Sequence, residues 1–375
     1  MARRAAFIYE ESLAEHELSQ THPMKPVRLS YTHELLDAYG AFDAPNAVLE
    51  RPRRATEHEI LTYHSPEYIE AVRALGDGDS IIDAGRFNFG PGDNPAYRGM
   101  YDAAMLSTGA SLRAAELLVD GDADVAFNIS GGLHHAMPGY AHGFCVFNDP
   151  VIAINHLLSQ GMRAVYVDID CHHGDGVQHA FYDTDQVLTV SFHESGAFLF
   201  PGTGFTEETG DGRGSGYSVN VPMYPYPSDD IYLWALRQVV PPLVEAFRPD
   251  VLVTQLGIDS HYLDPITHMG LTVQGFEQAV GELARAAPSR WLALGGGGYD
   301  LQAVARAWTL AFGVMSEQSF AEQVPEAYGL RHDVRSLRDV APEPDQQVEK
   351  DARAFAEASV QAVQRLVFPT HGIGV

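Results

Sequence analysis

Short apolar runs rich in β-branched and aromatic residues recur along the chain, and longer stretches with apolar residues at helical spacing lie between them. The runs Ala5 to Tyr9, Val125 to Ile129, Ala164 to Ile169, Val187 to Phe192, Tyr217 to Val221, Val251 to Leu256 and Trp291 to Leu294 predict strands, with Ala47 to Glu50 a weaker eighth. Helical periodicity predicts helices over Tyr101 to Val119, Pro150 to Leu158, Ile231 to Phe247, Gly275 to Ala286 and Ala303 to Phe312, and a last one from about Gln347 to Leu366. Strand and helix alternate from start to finish, which is the pattern of a parallel sheet covered by helices on both faces, so the fold class is α/β. A single domain over residues 1–375 is expected, its core spanning about 5–330 and a helical extension about 331–375. Arg331 to Asp345, with Pro342 and Pro344, reads as a surface connection and not a domain boundary, because too little chain follows to build a separate core.

Polar and glycine-rich residues follow four of these strands: Ser130 to His135, Asp168 to Asp175, Asp259 to His261, and Gly295 to Tyr299. Ligands of open parallel sheets bind beyond the carboxyl ends of the strands, so the four segments are expected to converge. Asp168, Asp170 and His172 are spaced two apart as a strand ends, which presents them in one direction. Joined by the distant Asp259, Asp170 and His172 make a three-donor set for zinc that leaves one coordination position open, as a catalytic site requires. A network of hydrogen-bonded carboxylates and imidazoles would show the same spacing. His134 and His135 follow two glycines that allow a sharp turn, and paired imidazoles can divide the work of base and acid. Asp168 and Asp175 are the carboxylates expected to orient them. The Gly295 to Gly298 run lacks both the Lys-Ser/Thr of a P-loop and the spacing of a dinucleotide fold, and it is read as a loop carrying the Tyr299 hydroxyl to a substrate oxygen.

Composition narrows the field. With 24 basic against 50 acidic residues the formal net charge is -26, which would repel a nucleic-acid backbone. Lys25 and Lys350 are the only lysines. No apolar run is long enough to span a bilayer, and the amino terminus turns acidic at Glu10 and Glu11 before a signal-peptide core could form, so a cytoplasmic location away from membranes is expected. Two cysteines, Cys145 and Cys171, fit a reducing compartment.

Five segments, Ser130 to Ala136, Gly143 to Asp149, Asp168 to Gly176, Phe200 to Gly204 and Gly295 to Tyr299, together resemble the histone deacetylase family, nearest to its bacterial acetoin utilization members. The resemblance runs in one order from about His22 to Trp308. It implies an arginase-deacetylase fold with an eight-stranded parallel sheet and hydrolysis of acetyl-lysine to lysine and acetate. By motif position it implies zinc, or iron(II) in its place, on Asp170, His172 and Asp259, a general base and acid in His134 and His135, and carbonyl polarisation by Tyr299. Gly143, Phe144, Phe200 and Ile266 match the acyl-lysine tunnel, Asp93 the rim aspartate that grips substrate backbone, and Arg28 an arginine of the inner acetate channel. Two potassium ions are further implied, one beside Asp168, Asp170, His172, Ser191 and Phe192, the other near Phe181, Thr184, Val187 and Tyr217. An acetylated protein is the implied partner, acetyl-CoA synthetase being one candidate; the oligomeric state is not indicated. Cys171 stands where an apolar residue is usual, and strand alternation should turn it away from the metal. Ile258 precedes Asp259 where a small residue is commoner. Alternatives are a small-molecule deacetylase, such as one for acetylpolyamines, and a catalytically silent acetyl-lysine-binding protein.

Overall fold

The computed structural model describes residues 2–374 apart from Ser80, Pro342 and Pro344. Its strands are β1 (Ala5–Ile8), β2 (Ala47–Glu50), β3 (Val125–Asn128), β4 (Ala164–Asp168), β5 (Val187–Glu194), β6 (Ser218–Met223), β7 (Val251–Gln255) and β8 (Trp291–Leu294). All pair in parallel, in the order β2-β1-β3-β8-β7-β4-β5-β6. The expected eighth strand, Ala47–Glu50, is therefore the edge, where Val48 and Leu49 are exposed.

Period-two alternation along the strands builds a separate core on each face. Ala5, Phe7, Val125, Phe127, Val165 and Val167 enter one cluster, whereas Ala6, Ile8, Ala126, Ala164 and Tyr166 enter the other. That is why the strands read as unbroken apolar runs: both faces are covered. The helices Met100–Asp120, Asp149–Ser159, Asp229–Phe247, Val273–Ala286 and Leu301–Ser316 extend the expected ones by one to four residues at an end. Periodicity did not single out Val27–Ala38, Pro66–Asp77, Asp175–Phe181 or Glu326–His332, which are also helical.

The Arg331 to Asp345 connection departs from the expectation of a surface run. Its first residues belong to the helix Glu326–His332, Leu337 is fully buried, and the Asp339 side chain is only 4% exposed. Asp339 is drawn inward by Arg306 Nη1 at 2.6 Å, His261 Nε2 at 2.9 Å and the Val273 N–H at 2.8 Å. Pro342 and Pro344 lie outside the described residues. The last helix, Gln346–Leu366, starts at an Asp345 cap and buries Ala352, Ala356, Val360 and Val363 along one stripe. That stripe joins the same core as β6.

The consequence for function lies in the strand order. β7 and β8 come late in the chain but fill the gap between β3 and β4, so the loops after β3, β8, β7 and β4 stand side by side at one end of the sheet.

Candidate active site

The loops after β4 and β7 carry the expected donors. Asp170, His172 and Asp259, all buried, bring ligand atoms within 4.8 Å of one another. His172 Nδ1 lies 2.9 Å from Asp259 Oδ2 and 3.1 Å from Asp170 Oδ1. The outer oxygens are fixed by neighbours: Asp170 Oδ2 accepts from Gln255 Nε2 (2.6 Å) and the Gly297 N–H (2.8 Å), and Asp259 Oδ1 from the Cys171 N–H (2.7 Å). Cys171 itself turns its thiol toward Glu194, 3.7 Å away and off the donor set, although β4 ends at Asp168 and the turn after it, not strand alternation, sets that direction. Ile258 is buried and its N–H donates to the Gly297 carbonyl at 3.0 Å, tying the Asp259 segment to the glycine loop. Burial and the Asp170 carboxylate push the Asp259 pKa up to about 6. Two buried carboxylates and one imidazole, with no arginine or lysine among them, form a donor set suited to a divalent cation.

His134 and His135 sit beside this set with Nε2 atoms 3.0 Å apart. His134 Nδ1 is 2.7 Å from Asp168 Oδ2, which also accepts from the Tyr166 hydroxyl at 2.7 Å, and His135 Nδ1 is 2.6 Å from Asp175 Oδ1. The structure thus makes both expected carboxylate pairings. Burial disfavours the charged form of either ring. At His134 the charges of Asp168 and Asp170 overcome it and raise the pKa to about 9, whereas at His135 burial and the neighbouring His134 lower it to about 4. The two rings are thereby pushed apart in proton affinity.

A cavity of about 310 Å³ leads in from the surface, lined by Asp93, His135, Gly143, Phe144, His172, Phe200, Ile266 and Tyr299 among others. It unites the expected tunnel, rim and catalytic positions. Phe144 meets Tyr299 edge to face with ring centroids 5.7 Å apart, and Phe200 lies 5.1 Å from the His135 ring. Beyond a constriction at His134, His135, Gly296 and Tyr299, a further space of about 100 Å³ is lined by Arg28, Leu29, Met24 and Leu133. The Arg28 guanidinium donates to the carbonyls of Gly296 (2.7 Å) and Gly298 (2.8 Å) and lies over the Trp308 ring. Gly296 and Gly298 have φ of 151° and 130°, and a Cβ on Gly296 would overlap Gln255, which explains the glycines of this loop.

Of the two implied potassium groups, Ser191 and Phe192 lie on β5 beside the end of β4, with Ser191 paired in register with Asp168. Phe181, Thr184, Val187 and Tyr217 gather at the amino-terminal ends of β5 and β6, the far end of the sheet from the cavity. Sequence reasoning missed two groups that organise the centre. Gln255 ends β7 and braces Asp170 and the Gly132 carbonyl, and Asp264 accepts the N–H groups of Tyr299 (2.9 Å) and Ile266 (3.1 Å).

The histone deacetylase domain family matches residues 22–315. This chain belongs to the histone deacetylase family. It is 41% identical over 314 residues to acetoin utilization protein AcuC of Bacillus subtilis (strain 168), covering 82% of this chain and 80% of that one. Human histone deacetylase 1 is 38% identical over 327 residues, covering 86% and 67%. A crystal structure of a histone deacetylase homologue from Aquifex aeolicus superposes with a TM-score of 0.85 at 31% identity, covering 96% of this chain and all of that one. The fold is accordingly that of the arginase-deacetylase group, and the deacetylase family sets the reaction class as hydrolysis. Among the described residues, no helix of this deacetylase is long and apolar enough to cross a membrane.

Proposed function

We propose that this deacetylase removes acetyl groups from lysine side chains of proteins, with zinc on Asp170, His172 and Asp259. The observation that carries the reading is the cavity in which Gly143, Phe144, Phe200 and Ile266 precede His135, His172 and Tyr299. An apolar sleeve ending in polar groups suits a methylene stem that must deliver an amide to a reactive centre. Zinc bound there supplies Lewis-acid polarisation of water and of the acetyl carbonyl.

His135, which faces the cavity while His134 lies behind it, takes a proton from the attacking water. Asp175 holds the ring in position for this step. Negative charge then develops on the former carbonyl oxygen, where the Tyr299 hydroxyl donates a hydrogen bond. The imidazolium of His135 finally gives its proton to the departing lysine nitrogen, because an amide anion is too poor a leaving group at neutral pH. His134, charged against Asp168, steadies the pair, and Asp93 at the rim accepts backbone N–H groups of the substrate. The further space around Arg28 would receive the acetate anion. The two potassium groups are assigned structural ions on the same footing, and the cytoplasm is the assigned location.

Acetate release from acetyl-lysine peptides tests the reading, measured with and without chelator and in Asp170→Ala. Release that chelator abolishes and zinc restores is expected, with Asp170→Ala at background. Faster release from acetylspermidine than from any peptide would move the substrate to small amines, and bound metal with no release from either would make the chain a binding protein.

A further inference from the structure

His142 has no part in the steps above, yet the fold fixes it firmly. It opens a turn in which the Cys145 N–H donates to the His142 carbonyl at 2.9 Å and the His142 N–H to the Cys145 carbonyl at 3.1 Å. The central residues Gly143 and Phe144 have φ of 49° and 70°, the pair of left-handed conformations that a two-residue type I′ turn demands. One tight turn therefore sends Phe144 to the tunnel and the His142 ring over Asp175. His142 Nδ1 stands 3.1 Å from Asp175 Oδ2, while Oδ1 of the same carboxylate is 2.6 Å from His135 Nδ1. His142 Nδ1 is buried and has no aligned hydrogen-bond partner. The ring also borders a polar cavity of about 380 Å³ shared with Asn88, Asp93 and Phe200, which opens to solvent and gives ions a way in.

Ligand atoms of His135, His142 and Asp175 all lie within 4.8 Å of one another. Two imidazoles and a carboxylate suit zinc and its neighbours in the first transition series. Donors about 2.0–2.1 Å from a tetrahedral ion stand roughly 3.3 Å apart, near the 2.6 and 3.1 Å that separate Asp175 from the two rings.

We propose that His135, His142 and Asp175 form a second divalent-cation site, separate from Asp170, His172 and Asp259, whose filling silences the enzyme. A cation there takes the carboxylate that orients His135 and occupies the ring nitrogen facing it. The site offers one carboxylate against the two of the other, so it holds a divalent cation less tightly and loads only in metal excess.

Metal-free protein is titrated with Zn²⁺, and separately with Co²⁺, by calorimetry and equilibrium dialysis, with acetate release followed at each step. Two equivalents are expected: a tight one that restores turnover and a weaker one that removes it. His142→Gln should lose the weaker equivalent and keep its turnover. Its half-inhibiting metal concentration should rise by more than the roughly 10–100-fold that follows loss of an outer-sphere partner. Asp170→Ala should do the reverse, losing the tight equivalent and keeping the weak one. The inhibition readout rests on the deacetylase reading, whereas the metal count does not; an inactive preparation with two equivalents, one of them lost in His142→Gln, still supports the site. A second equivalent that survives His142→Gln overturns the proposal, and so does a wild-type protein that binds one equivalent only.

Discussion

Tyr299 owes its place to Asp264 as much as to the glycines before it. Burial and the nearby Asp259 push the Asp264 pKa up to about 8, against the pull of the two N–H groups it holds. Tyr299→Phe should lower kcat by about 10²-fold or more with KM little changed, because the phenol acts only on charge that develops during reaction. If Asp264 works through Tyr299, Asp264→Ala should lower kcat in the wild type and add almost nothing in the Tyr299→Phe background; independent losses in the four-way comparison would refute that coupling. Gly143→Ala should also lower turnover, since a Cβ at its φ of 49° would overlap the His135 ring. His134, His135, Asp170, His172 and Tyr299 were legible in the sequence because each falls in a polar or glycine-rich segment that follows an apolar strand. Gln255 and Asp264 were not: a lone glutamine ending a strand and an aspartate before a proline carry no spacing, and only the folded loops reveal what they brace.

At the scale of elements, the connection through Asp339 holds the helix Leu301–Ser316 and the start of the helix Val273–Ala286 together. Burial opposes ionisation of Asp339, but His261, the Val273 N–H and Arg306 together depress its pKa. A carboxylate depressed in the folded state stabilises fully above its unfolded pKa of roughly 3.9 and loses that contribution as pH falls below it. Asp339→Ala should therefore cost roughly 3–5 kcal/mol near neutral pH, by leaving the buried Arg306 guanidinium without its counter-charge and His261 Nε2 without its hydrogen-bond partner. Denaturant titrations at pH 7 and pH 3 check the sign: the gap between wild type and variant should narrow in acid. Alternation did not announce this anchoring, since a single acid among prolines and arginines looks solvent-exposed until its partners are known. The helix Pro66–Asp77 shows the opposite case, for Ser65 as cap and Pro66 in the first turn are start signals that the sequence does display.

For the molecule as a whole, the -26 charge acts at long range. Raising ionic strength from about 0.05 to about 0.5 M should raise KM several-fold for lysine- and arginine-rich acetylated peptides and leave neutral ones and kcat unaffected, because screening weakens steering and not chemistry. Equal salt responses from both peptide classes would show that the field plays no part in recognition. The sheet order carries a further consequence, for the order in which the molecule can be made. A ribosome releases β1 to β6 first, and these can pair only as two half-sheets, β2-β1-β3 and β4-β5-β6, each with an unprotected inner rim. Until β7 and β8 emerge and close the seam, the nascent chain has neither a continuous sheet nor an active centre, so translation that stalls before Val251 leaves two sticky rims for chaperones to shield.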